Sequence, residues 1–320
     1  MLTVQKFGGS SLADAEKLRR AADTVLSARH RGQNVAVVVS AMGDTTDELI
    51  ALAHELNPDA DARELDALMS TGENQSAALL AIALERAGAR AISLAGWQAG
   101  VYTDDSHGGA ALELTFPSRA AAAIRDGIIP VVAGFQGVDI HGDVTTLGRG
   151  GSDTSAVALA AALGADRCEI YTDVNGVYTA DPRLVPGARR VNEIDFRDML
   201  LLARAGSQVL HPGSVELAMR SGVELLVLSS AGEPGRTAVH MLDGARRPDF
   251  AGVTRNAEDQ TVTLVGAGCR SHTLPELASA LSAADIRVRG GRMGDGYASV
   301  KVDAEQLIFA LQTLHRYVFE

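Results

Sequence analysis

Hydrophobic residues occur in short, nearly continuous runs that alternate with longer segments whose apolar positions recur at helical spacing. In the segment Asn34–Ser40, residues 35–39 are all apolar, which is typical of a strand buried on both faces. The segment Asp14–Ala28 instead has one apolar face and basic residues on the other. This alternation predicts an α/β fold, a three-layer αβα sandwich with a mostly parallel central sheet.

The same pattern predicts individual elements over the first 230 residues. The predicted strands are Leu2–Phe7, Asn34–Ser40, Ala89–Leu94, Ile128–Gly134, Arg167–Thr172 and Glu224–Ser229. The predicted helices are Asp14–Ala28, Asp61–Ala87 (broken near Ser70–Asn74), Ser152–Leu163, Phe196–Ala205 and Gly213–Ser221. Because ligands of such sheets gather at the carboxyl ends of the strands, we expect functional residues in the segments that follow the strands.

The pattern changes after about residue 230, where a polar stretch containing glycine and proline predicts a linker over 231–258. Residues 259–320 then predict a small ferredoxin-like domain of order β-α-β-β-α-β. Its elements are Thr261–Gly266, Leu274–Ala284, Arg287–Arg289, Tyr297–Val302, Ala304–His315 and a final strand Arg316–Phe319. The first domain is therefore expected over 1–230 and the second over 259–320.

Composition excludes several classes of protein. The formal net charge of −11 argues against nucleic-acid binding, which needs a basic face. No apolar run is long enough to span a membrane and no basic leader precedes the first strand, so we expect a cytoplasmic protein. Cys168 and Cys269 have no metal-binding spacing, and we assign no residue as a metal ligand.

A first glycine cluster, Lys6–Ser11, follows the first predicted strand. Its two glycines let backbone N–H groups approach a phosphate without interference from a Cβ. The helix that follows points its positive end at the same place, and Lys6 supplies a point charge. A plain turn between strand and helix is the alternative, and the glycines alone do not decide between them.

A second cluster, Leu147–Thr154, precedes a good helix and contains three glycines. Arg149 suits bidentate recognition of a carboxylate. Asp153 could orient a lysine or a magnesium-bound water. A flexible hairpin loop with Ser152 as the helix N-cap is the alternative, but charged residues inside a glycine cluster argue against it.

Two further features are ambiguous when taken alone. The segment Tyr171–Arg183 has polar groups suited to a nucleotide, with Tyr178 and Arg183 as candidates for base stacking and phosphate contact. Glu73 could pair with a substrate ammonium, or could merely favour a helix N-terminus. The GxxxxGK[ST], GxGxxG and GxSxG motifs are absent at the required places, which disfavours three common nucleotide and hydrolase folds.

Several segments, taken in order over roughly 1–230, together resemble aspartate kinases of the amino-acid kinase family. They are Lys6–Ser11, Ser70–Glu73, Gly96–Gly100, Gly134–Gly137, Thr146–Asp153 and Tyr171–Arg183. The C-terminal unit resembles an ACT regulatory domain, on the segment Val265–His272. The resemblance implies transfer of the ATP γ-phosphoryl group to the β-carboxylate of L-aspartate, which gives 4-phospho-L-aspartate in the first step of the aspartate-family pathway to lysine and threonine.

The resemblance also implies roles for individual residues. Lys6 and Asp153 would be catalytic, with Mg²⁺ accompanying ATP. The aspartate α-carboxylate would bind Arg149, and its ammonium would lie near Glu73. The implied substrate-binding residues are Thr45, Glu73, Arg149 and Ser152. The implied ATP-binding residues are Lys6, Gly8, Gly9, Ser10, Thr172, Asp173, Tyr178, Arg183 and Gln208.

The sequence also departs from the family pattern. Gln208 stands where the family often has lysine, and Gly213 where arginine is usual. One ACT-like unit occurs where two are expected, which implies reduced or altered feedback regulation. Two alternatives stay open: a specialised amino-acid kinase for another carboxylate, and a non-catalytic amino-acid-sensing subunit. A homo-oligomer, with dimer contacts through the ACT-like domains, is expected.

Overall fold

The computed structural model describes residues 1–244 and 246–320. Its strands are β1 (Leu2–Phe7), β2 (Asn34–Val39), β3 (Ala91–Leu94), β4 (Val101–Thr103), β5 (Leu112–Thr115), β6 (Ile129–Ala133), β7 (Gln136–Val138), β8 (Val144–Thr146), β9 (Arg167–Thr172), β10 (Glu193–Asp195), β11 (Leu225–Ser229), β12 (Arg236–His240), β13 (Gly252–Asn256), β14 (Thr261–Val265), β15 (Val288–Gly294) and β16 (Tyr297–Val302). Its helices are α1 (Ala15–His30), α2 (Thr45–Leu56), α3 (Ala62–Arg86), α4 (Ser118–Arg125), α5 (Gly151–Leu163), α6 (Phe196–Arg204), α7 (Pro212–Ser221), α8 (Thr273–Ala283) and α9 (Leu307–Phe319). Short 3₁₀ turns cover Gly9–Ser11 and Ala304–Gln306.

The chain divides into two compact units. The first comprises Met1–Asn175 and Leu217–Pro234, and the second comprises Gly176–Glu216 and Gly235–Glu320. In the part of the chain that the structure describes, no helix is long and apolar enough to cross a membrane.

The first unit is built on a parallel sheet in the order β11-β9-β1-β2-β6-β3. Strand β1 is central, and Lys6 lies opposite Val38 on β2 and Ile170 on β9. Helices α1 and α3 contribute to a core on one face that includes Phe7. Helices α4 and α5 contact the sheet too, and the residues of β2 after the first are buried on both faces. The predicted α/β fold with a mostly parallel sheet is confirmed.

A second, smaller sheet of this unit has the order β5-β4-β7-β8. The pattern of hydrophobic residues did not predict it, because its strands have only three or four residues each. The Thr103 and Thr145 hydroxyls form a buried hydrogen bond of 2.6 Å within this sheet. Strand β8 matters for function, because it leads directly into the glycine cluster before α5.

Helix α3 runs unbroken, so the predicted break near Ser70–Asn74 is wrong. The Ser70 and Ser76 hydroxyls donate to carbonyl oxygens of the same helix, which removes their competition with the helical backbone. Gly72 lacks a side chain for a packing reason, since a Cβ there would lie 2.9 Å from the Ala41 Cβ. The glycine lets α3 approach the segment that follows β2.

In the second unit, an antiparallel sheet of order β13-β14-β16-β15 packs with α8 and α9 around one hydrophobic core. The predicted final strand Arg316–Phe319 is wrong, because α9 continues through Phe319. Leu311, Leu314 and His315 continue the buried helical face, and the His315 and Phe319 rings stack at 4.9 Å. Strand β13, which precedes β14 in the chain, supplies the fourth strand.

The predicted linker 231–258 contains regular structure. Strand β12 pairs in parallel with β10, and β13 pairs with β14. Val239 and Val253 are almost completely buried, which gives these short strands a hydrophobic anchor despite their polar neighbours. The division into domains at residues 230 and 258 stays a prediction.

Candidate active site

The residues predicted to be catalytic meet at the carboxyl end of β1. The Lys6 Nζ lies 2.6 Å from the Asp153 Oδ1, and the two side chains are only 12% and 13% exposed. Lys6 comes from β1, and Asp153 comes from the first turn of α5, where the helix dipole favours negative charge. The sheet and the helix thus hold an ammonium and a carboxylate together in a place that water reaches poorly.

The glycine cluster after β1 packs closely against the chain that follows β2. A Cβ at Gly9 would lie 2.7 Å from the Ala41 carbonyl oxygen, so only glycine fits there without movement. The Gly43 N–H donates to the Gly9 carbonyl (3.0 Å), and Ser10 is exposed at the turn. At Gly8 a Cβ would have room, at 3.7 Å from the Lys6 Nζ. The open side of Gly8 therefore faces the Lys6 ammonium.

Glu73 lies on the buried face of α3 and has one carboxylate oxygen to spare. Its Oε1 accepts a 3.0 Å hydrogen bond from the Ala41 N–H. Its Oε2 is buried and has no hydrogen-bond partner among the residues that the structure describes. Burial raises the pKa of Glu73 from 4.5 to about 7, against the opposing effects of the Ala41 hydrogen bond and the Lys6 charge. A cationic ligand group would satisfy the spare oxygen and favour ionisation.

This pKa predicts how Glu73 affects the stability of the ligand-free protein. The folded state prefers the neutral Glu73 carboxyl. The contribution of this neutral carboxyl to the free energy of unfolding is therefore fully present below pH 4.5 and is lost as the pH rises through about 7. Glu73→Gln cannot ionise. Its free energy of unfolding should therefore rise relative to wild type by about 2 kcal/mol between pH 5 and pH 8. Chemical denaturation at both pH values measures this difference.

Glu48→Gln is the matched control, because Glu48 is exposed on α2 and its substitution should change little at either pH. A Glu73→Gln difference that stays constant from pH 5 to pH 8 would contradict the raised pKa.

The other predicted substrate-binding residues belong to the same unit. The Thr45 hydroxyl donates to the Met42 carbonyl (2.7 Å) at the start of α2. Ser152 is buried in the first turn of α5, where Gly134 allows close packing since a Cβ there would lie 3.0 Å from the Ser152 Cβ. Arg149 is exposed in the loop between β8 and α5.

Arg149 is available for a ligand. The glycines on either side of it, Gly148 and Gly150, have left-handed φ angles of +69° and +72°, which other residues rarely adopt. No ion pair of Arg149 occurs within the ranges 1–244 and 246–320. The loop thus presents an exposed guanidinium on a specific backbone conformation.

The predicted nucleotide residues fall into both units. Thr172 ends β9, the neighbour of β1, and its hydroxyl donates to the Asp173 carboxylate (3.1 Å). Tyr178, Arg183 and Gln208 belong to the second unit. There Tyr178 forms an antiparallel bridge with Arg190, Arg183 pairs with Asp181 at 2.9 Å, and Gln208 is exposed. Their roles toward ATP stay predictions.

Sequence reasoning missed Asp66, a fully buried carboxylate on α3. It lies seven residues before Glu73 and so on the same face of the helix, two turns away. That spacing was visible in the sequence. Its partners were not, because Thr146 on β8 and His107 and Gly108 between β4 and β5 lie far along the chain.

The sequence pattern of the amino acid kinase family matches residues 1–229, and the chain belongs to this family. Within it, the chain is similar to the aspartokinase of Corynebacterium efficiens, with 47% identity over 291 residues that cover 90% of this chain and 69% of that protein. The resemblance to aspartate kinases noted in the sequence is thereby confirmed.

Solved structures give the same picture of the fold. E. coli aspartokinase III in complex with aspartate and ADP is similar with a TM-score of 0.86 and 24% identity, and the match covers 100% of both chains. Aspartate kinase from Synechocystis is similar with a TM-score of 0.69 and 31% identity, over 99% of this chain and 69% of that one.

Proposed function

We propose that this chain is an ATP-dependent aspartate kinase, which transfers the γ-phosphoryl group of ATP to the β-carboxylate of L-aspartate. The observation that carries the proposal is the buried Oε2 of Glu73, which has no hydrogen-bond partner within residues 1–244 and 246–320 and belongs to a carboxylate that interacts with the Lys6 charge. An amino acid substrate supplies the ammonium that this oxygen lacks. The relatives named aspartokinase indicate which amino acid it is.

The proposed reaction needs no general base, because the attacking group is an ionised carboxylate. A β-carboxylate oxygen forms the new bond to the γ-phosphorus, the bond from that phosphorus to the bridging oxygen breaks, and ADP takes the electron pair. Arg149 binds the α-carboxylate, Glu73 binds the ammonium, and Lys6 stabilises charge on the phosphate oxygens. Asp153 is an oxygen donor of the kind that Mg²⁺ prefers, and bound Mg²⁺ would neutralise phosphate charge.

A steady-state assay of ADP release and of acyl phosphate trapped as hydroxamate tests the proposal directly. We expect turnover with MgATP and a far higher kcat/KM for L-aspartate than for glutamate or other dicarboxylates. A higher kcat/KM for another carboxylate would favour a specialised amino-acid kinase. Absence of both turnover and calorimetric ATP binding would favour a non-catalytic sensor. Altered feedback is tested by adding lysine and threonine to the same assay.

Assembly and location belong to the same proposal. A homo-oligomer formed through the C-terminal ACT-like units is what the resemblance implies, and a cytoplasmic location is the expectation drawn from the sequence. Analytical ultracentrifugation of the purified chain measures its oligomeric state.

Gly8→Ala should separate folding from nucleotide binding. The backbone at Gly8 has φ −74° and ψ 165°, which alanine adopts readily, and the added Cβ would make only ordinary contacts. Stability should therefore change by less than about 1 kcal/mol. The methyl group would however occupy the side of the loop that faces Lys6, so we expect the KM for ATP to rise about tenfold.

The control for this experiment is Gly290→Ala, because a Cβ at Gly290 would meet no atom of the described part of the chain within 4 Å. Its KM for ATP should equal that of wild type. An unchanged KM in Gly8→Ala would remove this loop from the phosphate site.

A further inference from the structure

Asp66 is a completely buried carboxylate that the proposed reaction does not use. Its Oδ1 accepts a hydrogen bond from the Thr146 hydroxyl (2.5 Å), and its Oδ2 accepts from the Thr146 N–H (3.1 Å). The Gly108 N–H (3.0 Å) and the His107 Nδ1 (3.0 Å) also contact Oδ2. Four polar groups, two from Thr146 at the end of β8 and two from the loop between β4 and β5, thus converge on one side chain of α3.

These donors border the substrate loop, which we define as residues 147–151. Thr146 ends β8 and immediately precedes the loop. His107 and Gly108 lie between β4 and β5, and this segment touches the loop directly: a Cβ at Gly148 would lie 3.6 Å from the Gly109 Cα. The Ala110 N–H also donates to the Thr146 carbonyl (2.8 Å).

The substrate loop itself is held by other contacts. The Leu147 N–H donates to the Phe135 carbonyl (2.8 Å), and the Gly151 N–H donates to the Gly148 carbonyl (3.0 Å). Without Asp66, Thr146 would keep its strand pairing on β8 but lose its two hydrogen bonds to α3. Two backbone N–H groups would then have to find new acceptors.

We propose that Asp66 is a positioning residue of the aspartate subsite. A single rigid helix, α3, carries Glu73 and, through Asp66, fixes the point where the Arg149 loop begins. Helix α3 thereby sets the spacing between the group that receives the substrate ammonium and the group that receives its α-carboxylate. The inference rests on the proposed function and assigns to Asp66 a role in aspartate recognition, not in ATP binding.

Asp66→Asn tests the proposal, because asparagine keeps the shape but turns one acceptor oxygen into a donor that faces other donors. We expect the KM for aspartate to rise about tenfold, since loss of alignment by a fraction of an ångström weakens ion-pair geometry. The KM for ATP should stay within about twofold of wild type, because the Lys6 loop is held by different contacts. Asp61→Asn is the matched control: it neutralises a carboxylate at the N-cap of the same helix, where asparagine caps equally well.

A double-mutant cycle with Arg149→Ala separates positioning from a general structural role. If Asp66 acts through Arg149, adding Asp66→Asn to Arg149→Ala should not raise the aspartate KM further. Independent, multiplicative effects of the two substitutions, or an equal rise in both KM values for Asp66→Asn alone, would overturn the proposal.

Thr146→Val provides a second route if Asp66→Asn does not fold. It removes only the hydroxyl donor to Oδ1, and a smaller rise confined to the aspartate KM is expected. An aspartate KM equal to that of wild type in a folded Thr146→Val or Asp66→Asn protein would overturn the inference. A wild-type protein without aspartate kinase activity would instead overturn the proposed function, so the two failures are distinguishable.

Discussion

Replacing Lys6 by methionine should lower kcat by about 10²–10³-fold, the cost typical of removing one group that stabilises transition-state charge. The substitution removes the ammonium beside the Gly8 loop and leaves the Asp153 carboxylate largely buried without its 2.6 Å partner. Methionine has a similar length, so packing around β1 should change little. The aspartate KM should change far less than kcat, because Lys6 is proposed to act on the phosphates. Steady-state kinetics with both substrates varied measures the two effects.

Lys17→Met is the control, because the Lys17 side chain lies on α1. The Lys17 backbone N–H donates to the carboxylate of the N-cap residue Asp14, and the substitution keeps this hydrogen bond. Its kcat should equal that of wild type. A kcat for Lys6→Met within threefold of wild type would remove Lys6 from the catalytic machinery.

Arg149→Ala should raise the aspartate KM about hundredfold, because it deletes the proposed partner of the substrate α-carboxylate and leaves that charge without a bidentate contact. Stability should be almost unaffected, since Arg149 is exposed and its loop conformation is set by the glycines on either side. Arg149→Lys should fall between wild type and alanine, because it keeps the charge but loses the planar fork.

Arg19→Ala is the matched control, an exposed arginine on α1. An aspartate KM for Arg149→Ala within threefold of wild type would place the α-carboxylate elsewhere and would remove the basis for the positioning role of Asp66.

Strand β2 could be predicted to within one residue because it is buried on both faces and therefore reads as an unbroken apolar run. Strands β1 and β9 were predicted with their observed bounds although each contains a buried polar residue, Gln5 and Glu169. The strands β4, β7 and β8 have three residues each and carry no such signal. The break predicted in α3 near Ser70–Asn74 does not occur, and Gly72 within it is favoured by tertiary contact with Ala41.

Candidate site residues could be predicted where glycine clusters mark them, as for Lys6 and Asp153. The sequence did not show which of them touch, because β1 and α5 are brought together only by the sheet. The same limit applies to Asp66, whose donors lie 41 to 80 residues away in the chain. Local patterns therefore indicated candidate residues, and the topology decided which of these candidates lie together.

The second unit has a consequence for how the protein is made. Its two stretches, 176–216 and 235–320, are joined by long-range contacts: the Thr179 hydroxyl bonds the His315 Nε2 (2.9 Å), and the Gln312 amide donates to the Leu184 carbonyl (2.7 Å). During synthesis, the segment with Tyr178 and Arg183 leaves the ribosome more than 120 residues before these partners in α9. Because non-local contacts form last, the segment around Thr179 can reach its native structure only when α9 has emerged. Truncating the chain before α9 should therefore expose the core of this unit to proteolysis and aggregation.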